Sequence, residues 1–207
     1  MRLCPVCIVA AAAAVGSVGF LALGGAGTKP VAIVSPAQAA DGEYKVDGLH
    51  SSAMFRVKHQ GVAYFYGRFN KISGSFTIDA AKPEATMIDA KVDVDSIDTN
   101  STGRDTHLKG QEFFSAKEFA EITFKSTSAK KGEGSKIAVT GDFTMHGVTK
   151  PITIQVDATG QGKGRGGPIA GLETSAVIKR SDFGMKFMLD ALGDEVTIYI
   201  SLEGGKK

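Results

Sequence analysis

Three short groups of residues carry side chains that chemistry commonly uses. Asp47, His50 and Ser51 place an acid, a base and a hydroxyl within five positions. These are the parts of a nucleophilic triad, in which a carboxylate orients an imidazole that takes the proton of an attacking hydroxyl. The G-x-S-x-G word that sets such a serine on a strained turn is absent, and nearness in sequence is not triad geometry. The plainer reading is a turn between strands, tied by hydrogen bonds among Asp47, His50, Ser51 and Ser52. The second group is RDTHL, Arg104 to Leu108, with Phe113 and Phe114 close behind; the third is RSDFGM, Arg180 to Met185. Both set Arg104, Asp105, His107, Arg180 and Asp182 beside large apolar neighbours. Two compatible readings follow: a buried ion-paired latch that pins an element to a wall, or the polar end of an apolar cavity.

Other chemistries are poorly served. His50, His59, His107 and His146 match no zinc spacing such as H-E-x-x-H, and no metal site is expected. GQGKGRGGP, Gly160 to Pro168, lacks the G-x-x-x-x-G-K-[ST] spacing of a phosphate loop and no helix follows it, so it reads as a flexible hairpin.

The elements that must position these groups are strands. Phe55 and Val57 alternate with Arg56 and Lys58, Phe76 and Ile78 with Ser75 and Thr77, and Ile88, Ala90, Val92 and Val94 with Asp89, Lys91, Asp93 and Asp95. Ile122 and Phe124, then Ile137, Val139, Phe143 and Met145, then Ile152, Ile154 and Val156 continue the habit, and Val196, Ile198, Ile200 and Leu202 end it. Period-two alternation puts every second side chain on one face of a sheet. With short strands at 44–47 and 172–180, eight or nine strands are expected, joined by links too short for crossover helices, hence antiparallel. One apolar face per strand must be buried in a sandwich or by closure. A last strand as apolar as Val196 to Leu202 is hazardous at an open edge, which favours a closed barrel. The exception is 100–117, where Asn100, Ser101 or Thr102 caps one short helix that covers a barrel end.

The chain of 207 residues opens with Arg2, an uncharged apolar run from Val6 to Leu23, and Ala37-Gln38-Ala39. This reads as a signal peptide over 1–39 cleaved before Ala40, with an uncleaved anchor as the alternative. Both cysteines, Cys4 and Cys7, lie in it, so residues 40–207 have no thiol, which excludes disulfides and thiol catalysis and suits an exported protein. The same 168 residues carry 22 basic and 22 acidic side chains, a balance that recommends no nucleic-acid partner. They also bring eleven of the twelve phenylalanines, with Met145, Met185 and Met188. Core packing is the default for any one of them, yet the set suits a deformable apolar tunnel.

The words and their order resemble the YceI-like family of exported bacterial lipid-binding barrels. The resemblance spans essentially all of 40–207. It rests on Asp47 with His50-Ser51-Ser52, Val57-Lys58-His59, Gly67-Arg68-Phe69, Ser96-Ile97-Asp98-Thr99, Arg104-Asp105 with His107-Leu108, Phe113-Phe114, GDFTMHGVTKP from Gly141, RSDFGM, and Gly193-Asp194-Glu195-Val196. It implies an all-β fold, an extended antiparallel eight-stranded lipocalin-like barrel with one short helix capping an end. It further implies a periplasmic or secreted carrier, without turnover or cofactor, that encloses an isoprenoid lipid or quinone for carriage, storage or sequestration. Transient membrane contact and a homodimer are compatible with that role. On this reading Arg104, Asp105, His107, Arg180, Asp182 and His50 meet the headgroup, and Phe55, Phe69, Phe76, Phe113, Phe114, Phe124, Phe143, Met145 and Phe183 meet the tail. Gly48-Leu49 stands where the family commonly has Pro-Ala, and Tyr64-Phe65-Tyr66 where it has smaller residues; three aromatics there would narrow the tunnel or stack on a headgroup. The alternatives are an enzyme on a similar hydrophobic substrate with His50 or His107 as acid/base, and a purely structural stress protein.

Overall fold

A computed structural model describes residues 42–206; the expected signal segment lies outside them. The strands are β1 (Tyr44–Val46), β2 (Ser52–His59), β3 (Ala63–Phe69), β4 (Ile72–Thr77), β5 (Met87–Asp93), β6 (Ile97–Asp98), β7 (Glu121–Lys131), β8 (Ile137–Met145), β9 (Val148–Gly164), β10 (Gly167–Lys179) and β11 (Leu192–Lys206), with one α-helix, α1 (Thr102–Leu108). The eleven segments make eight staves. β1 and β2 form one stave broken by the turn at 47–51, β3 and β4 one broken at Asn70 and Lys71, and β5 and β6 one broken by the 3-10 turn Val94–Ser96.

Every pairing is antiparallel, and the ring closes where β1 meets β11, Tyr44 opposite Lys206 and Val46 opposite Gly204. Below that closure β2 pairs with the same strand from Ser52–Ser201 to His59–Leu192. The long apolar last strand thus lies between β10 and the β1–β2 stave, which removes the edge that its sequence could not tolerate. The glycine-rich stretch forms the hairpin expected of it, with strand pairing that runs to its tip. Its strands stay paired up to Gly164 opposite Gly167, and only Arg165 and Gly166 form the turn.

The two ends of the barrel are built differently. At one, Tyr44 stacks on Phe76 with ring centroids 5.5 Å apart, and Ile137, Val139, Val156, Leu172 and Leu202 are buried around them. This is a packed floor. Burial of such side chains contributes roughly 1.5–3 kcal/mol each. At the other end the β2–β3 turn, the β8–β9 turn, α1 and the segment between β10 and β11 come together. There β3 pairs with β6 only at Arg68 and Phe69, and the α1 region crosses the gap left beside Phe65.

A seven-residue helix is too short to persist alone, and named contacts hold this one. Ser101 caps it by accepting from the Arg104 backbone N–H at 3.5 Å, and Asp105 lies in the first turn, where the helix dipole favours a negative charge. Asp105 also accepts from the backbone N–H and hydroxyl of Thr99, and Arg104 donates to the Thr99 hydroxyl at 2.8 Å and to its carbonyl.

Candidate binding cavity

Inward-facing side chains of the staves leave a lumen with a cavity volume of about 180 Å³. Its wall is apolar. Thr123, Thr174 and Arg180 are its polar residues. Several rings lie flat against the wall because a glycine sits beneath them. A Cβ at Gly67 would come within 2.4 Å of the Phe55 ring, its cross-strand partner, and one at Gly141 within 2.7 Å of the Phe124 ring. Glycine in a strand interior often marks such a close approach. Phe55, Phe69 and Phe114 then follow one another at 5.7 and 5.6 Å between centroids, a continuous aromatic path toward α1.

Of the residues expected against a tail, Phe55, Phe69, Phe113, Phe114, Phe124, Phe143 and Met145 line this lumen. Phe76 and Phe183 lie elsewhere. Phe76 is consumed by the floor, and Phe183 packs edge-on behind Phe143 at 5.3 Å. The strand alternation also places Val196, Ile198 and Ile200 in the wall. Attention to phenylalanine and methionine passed over them, although their inward parity was visible in the alternation. Of the three aromatics before Gly67, Tyr64 and Tyr66 point outward and are half exposed, so Phe65 alone takes the inward side.

The polar residues expected at one headgroup site divide among three places. Arg180 is 4 % exposed and donates to four carbonyls, those of Met185, Phe187, Leu192 and Gly193, at 2.8–3.0 Å. Burial lowers its pKa from the ordinary guanidinium value, and the charge of Asp194 opposes that. Burial alone would raise Asp194, but hydrogen bonds from the Ser181 backbone and hydroxyl, with the charge of Arg180, hold it below the usual carboxylate value. Arg180 is thus a latch in the cavity wall. Asp182 faces outward, with Lys150 at 3.4 Å.

Arg104 and His107 stand at the helix end of the barrel, outside the lining of the lumen. The Arg104 guanidinium lies 4.3 Å over the Phe65 ring, and its Nη1 has no hydrogen-bond partner among the described residues. His107 Nε2 is 2.6 Å from Glu112, and its ring meets Phe113 and Phe187 edge-on. Asp105 is committed to Thr99.

His50 is remote from them. It sits at the β1–β2 break on the outside of the barrel, beside Glu203 near the floor. Its Nδ1 is 2.9 Å from Asp47, whose side chain also accepts from the Leu49 backbone. The hydrogen bond to Asp47 raises the imidazole pKa, and the same bond lowers that of Asp47. Asp47, His50 and Glu203 bring potential metal-ligating atoms within 4.8 Å of one another, the one such group among the described residues. The Ser51 hydroxyl, the third type in the triad, is spent on the backbone of Glu203.

The fold is an eight-stave antiparallel barrel with a packed floor at one end, a short helix at the other and an apolar lumen between. This chain belongs to the YceI-like family, whose domain model matches residues 44–204. It is 40 % identical over 176 residues to a UPF0312 protein of Pseudomonas aeruginosa (strain LESB58), covering 84 % of this chain and 92 % of the relative. To Protein YceI of Escherichia coli O6:H1 it is 39 % identical over 173 residues, covering 82 % and 90 %. Among solved structures, BcnA of Burkholderia cenocepacia superposes with a TM-score of 0.71 at 26 % identity over 77 % of this chain and 99 % of that one. The Campylobacter jejuni YceI protein superposes at 0.65 with 30 % identity over 72 % and 90 %. A Saccharophagus degradans domain described as polyisoprenoid binding shares the fold, with a TM-score of 0.63 at 16 % identity over 79 % and 98 %.

Proposed function

We propose that this chain is an exported, periplasmic or secreted carrier that encloses the tail of an amphiphilic isoprenoid, a polyisoprenoid or an isoprenoid quinone, without chemical turnover. The observation that carries the reading is the lumen: a floor closed by packed side chains, and a wall of phenylalanine, methionine and branched aliphatics. Burial of each methylene there is worth roughly 0.8 kcal/mol, so a tail of many carbons outweighs any single polar contact. The polyisoprenoid-binding description of the Saccharophagus domain, which shares the fold, agrees with it. The polar end of the ligand stands at the mouth, where Arg104 keeps an unspent donor and His107 is exposed, with Asp105 holding the helix that carries both. The wall offers no histidine or carboxylate to a reacting group, which favours carriage over the acid/base alternative.

The test is organic extraction and native mass spectrometry of protein purified from its own host, on wild type, Phe124→Asp and Arg104→Ala. Wild type is expected to carry one lipid with a mass series in isoprene steps. Phe124→Asp should lose it, since it sets an unpaired charge against the tail. Arg104→Ala should keep the tail contacts and bind an added isoprenoid more weakly by on the order of 1.5–3 kcal/mol. Folded wild type that extracts no lipid and takes up none would overturn the reading.

A further inference from the structure

The helix end of the barrel carries more apolar surface than its packing requires. Val62, at the tip of the β2–β3 turn, is 81 % exposed, and Met188 and Leu189, in the turn that leads into β11, are 41 % and 42 % exposed. Single exposed apolar residues are ordinary. These belong to two turns fastened to each other, because the Gln60 backbone N–H donates to the Ala191 carbonyl at 2.7 Å.

Immediately beside the tips, the outward faces of β2 and β3 present a belt of aromatic and cationic groups. Tyr64 and Tyr66 are each half exposed, and above the Tyr64 ring lie the Arg56 guanidinium at 4.3 Å and the Lys58 ammonium at 4.6 Å. Apolar tips beside a belt of tyrosine, lysine and arginine match the gradient from acyl chain to headgroup at a bilayer surface, where amphipathic rings and long basic side chains settle.

The charge balance names the kind of bilayer. Some carboxylates at this end already face a cation: Asp98 pairs with Arg68, Asp182 with Lys150, and Asp194 lies in the field of Arg180. Glu112, Asp190 and Glu195 remain, against Arg56, Lys58, Lys179 and Lys186, none of which has a carboxylate within ion-pair distance among the described residues. The surplus is positive and suits anionic headgroups.

The same end borders the cavity. Phe187, next to Met188, packs at 5.4 Å against Phe113 of the cavity wall, and Leu192, just past the turn, is itself part of that wall. We propose that Val62, Met188 and Leu189, with Arg56, Lys58 and Lys186 around them, form a docking rim that seats the barrel mouth on an anionic lipid bilayer. Docking stands on these surface residues alone; its use, passage of a tail between bilayer and lumen without crossing water, rests on the carrier reading.

The test is co-sedimentation of the purified chain with vesicles of phosphatidylcholine alone and with about one part in three of phosphatidylglycerol, at low and high salt. Wild type should sediment with the anionic vesicles and be released by salt. The double variants Val62→Asp with Leu189→Asp, and Lys58→Glu with Lys186→Glu, should each bind about tenfold or more weakly. All four sites are on the outer surface, so melting temperature should stay at the wild-type value. Lipid extracted from the same preparations reports on the lumen separately: wild type that docks but carries no isoprenoid keeps the rim and loses the carrier. Wild type left in the supernatant at low salt, or variants that bind like wild type, would overturn the rim. So would a dimer seen by light scattering that dissolves in Val62→Asp with Leu189→Asp, since the face would then belong to a second copy.

Discussion

Asp47 and His50 form an exposed pair whose two members shift in opposite directions. His50 is raised, so its contribution is complete below the ordinary imidazole value of about 6.5 and is lost as pH rises through the higher folded value. Asp47 is lowered, so its contribution is complete above the ordinary value of about 3.9 and is lost as pH falls through the depressed folded value. The pair therefore acts in full between those two values. Both groups are open to water, which keeps the effect on stability small. A ring-proton NMR titration is expected to show His50 titrating above about 6.5 in wild type and moving down toward it in Asp47→Asn. An unchanged His50 titration in that variant would mean that Asp47 does not hold the ring. Position, as much as charge, separates this histidine from any headgroup, since it stands near the floor and on the outside.

At the scale of elements, Arg180 shows how a barrel end is held without an ion pair in contact. Two carbonyls from the segment between β10 and β11, Met185 and Phe187, and two from the start of β11, Leu192 and Gly193, converge on one buried guanidinium, which ties that segment to the strand that follows it. Removing the guanidinium leaves those carbonyls without their donor, and the loss of buried charge-assisted bonds outweighs the gain of an apolar side chain. Arg180→Met is expected to lower stability by about 3–5 kcal/mol in urea unfolding, with lysine at the same site a poor rescue because its point charge cannot reproduce the planar fork. A loss below about 1 kcal/mol would show that the segment is held by its apolar packing instead. Such a change would also disturb the cavity wall, since Leu192, whose carbonyl Arg180 holds, is part of it and Phe187 packs against its Phe113.

For the whole molecule, the proposed carrier role has a thermal consequence: a lumen emptied of a tail leaves its wall in contact with water or with nothing, and either state forgoes contacts that a filled barrel would have. Protein stripped of lipid is expected to melt below the loaded protein in calorimetry. Adding back tails of increasing length should raise the melting temperature, in proportion to about 0.8 kcal/mol per buried methylene, until the lumen is full. Equal melting of stripped and loaded protein would mean that the lumen closes on itself when empty.

Alternation along each strand was enough to say which side chains face inward and that a last strand as apolar as Val196 to Leu202 needs partners on both sides, and the short links between strands made the sheet antiparallel. Local cap candidates, Asn100, Ser101 and Thr102, together with an interrupted alternation, placed the single helix, and the structure selected Ser101. These are short-range properties, because side-chain direction in a strand repeats every two residues whatever the neighbours do. Depth along the barrel is different. It depends on the register of eight staves at once, and only the tertiary structure decided that Phe76 belongs to the floor, that Phe183 packs behind Phe143, and that His50 is far from Arg104 and His107. It also decided that Arg180 is spent on carbonyls while Arg104 keeps a free donor. Hydrogen-bond partners are chosen by which backbone groups closure leaves unpaired, a consequence of long-range pairing that residue types and spacing do not encode.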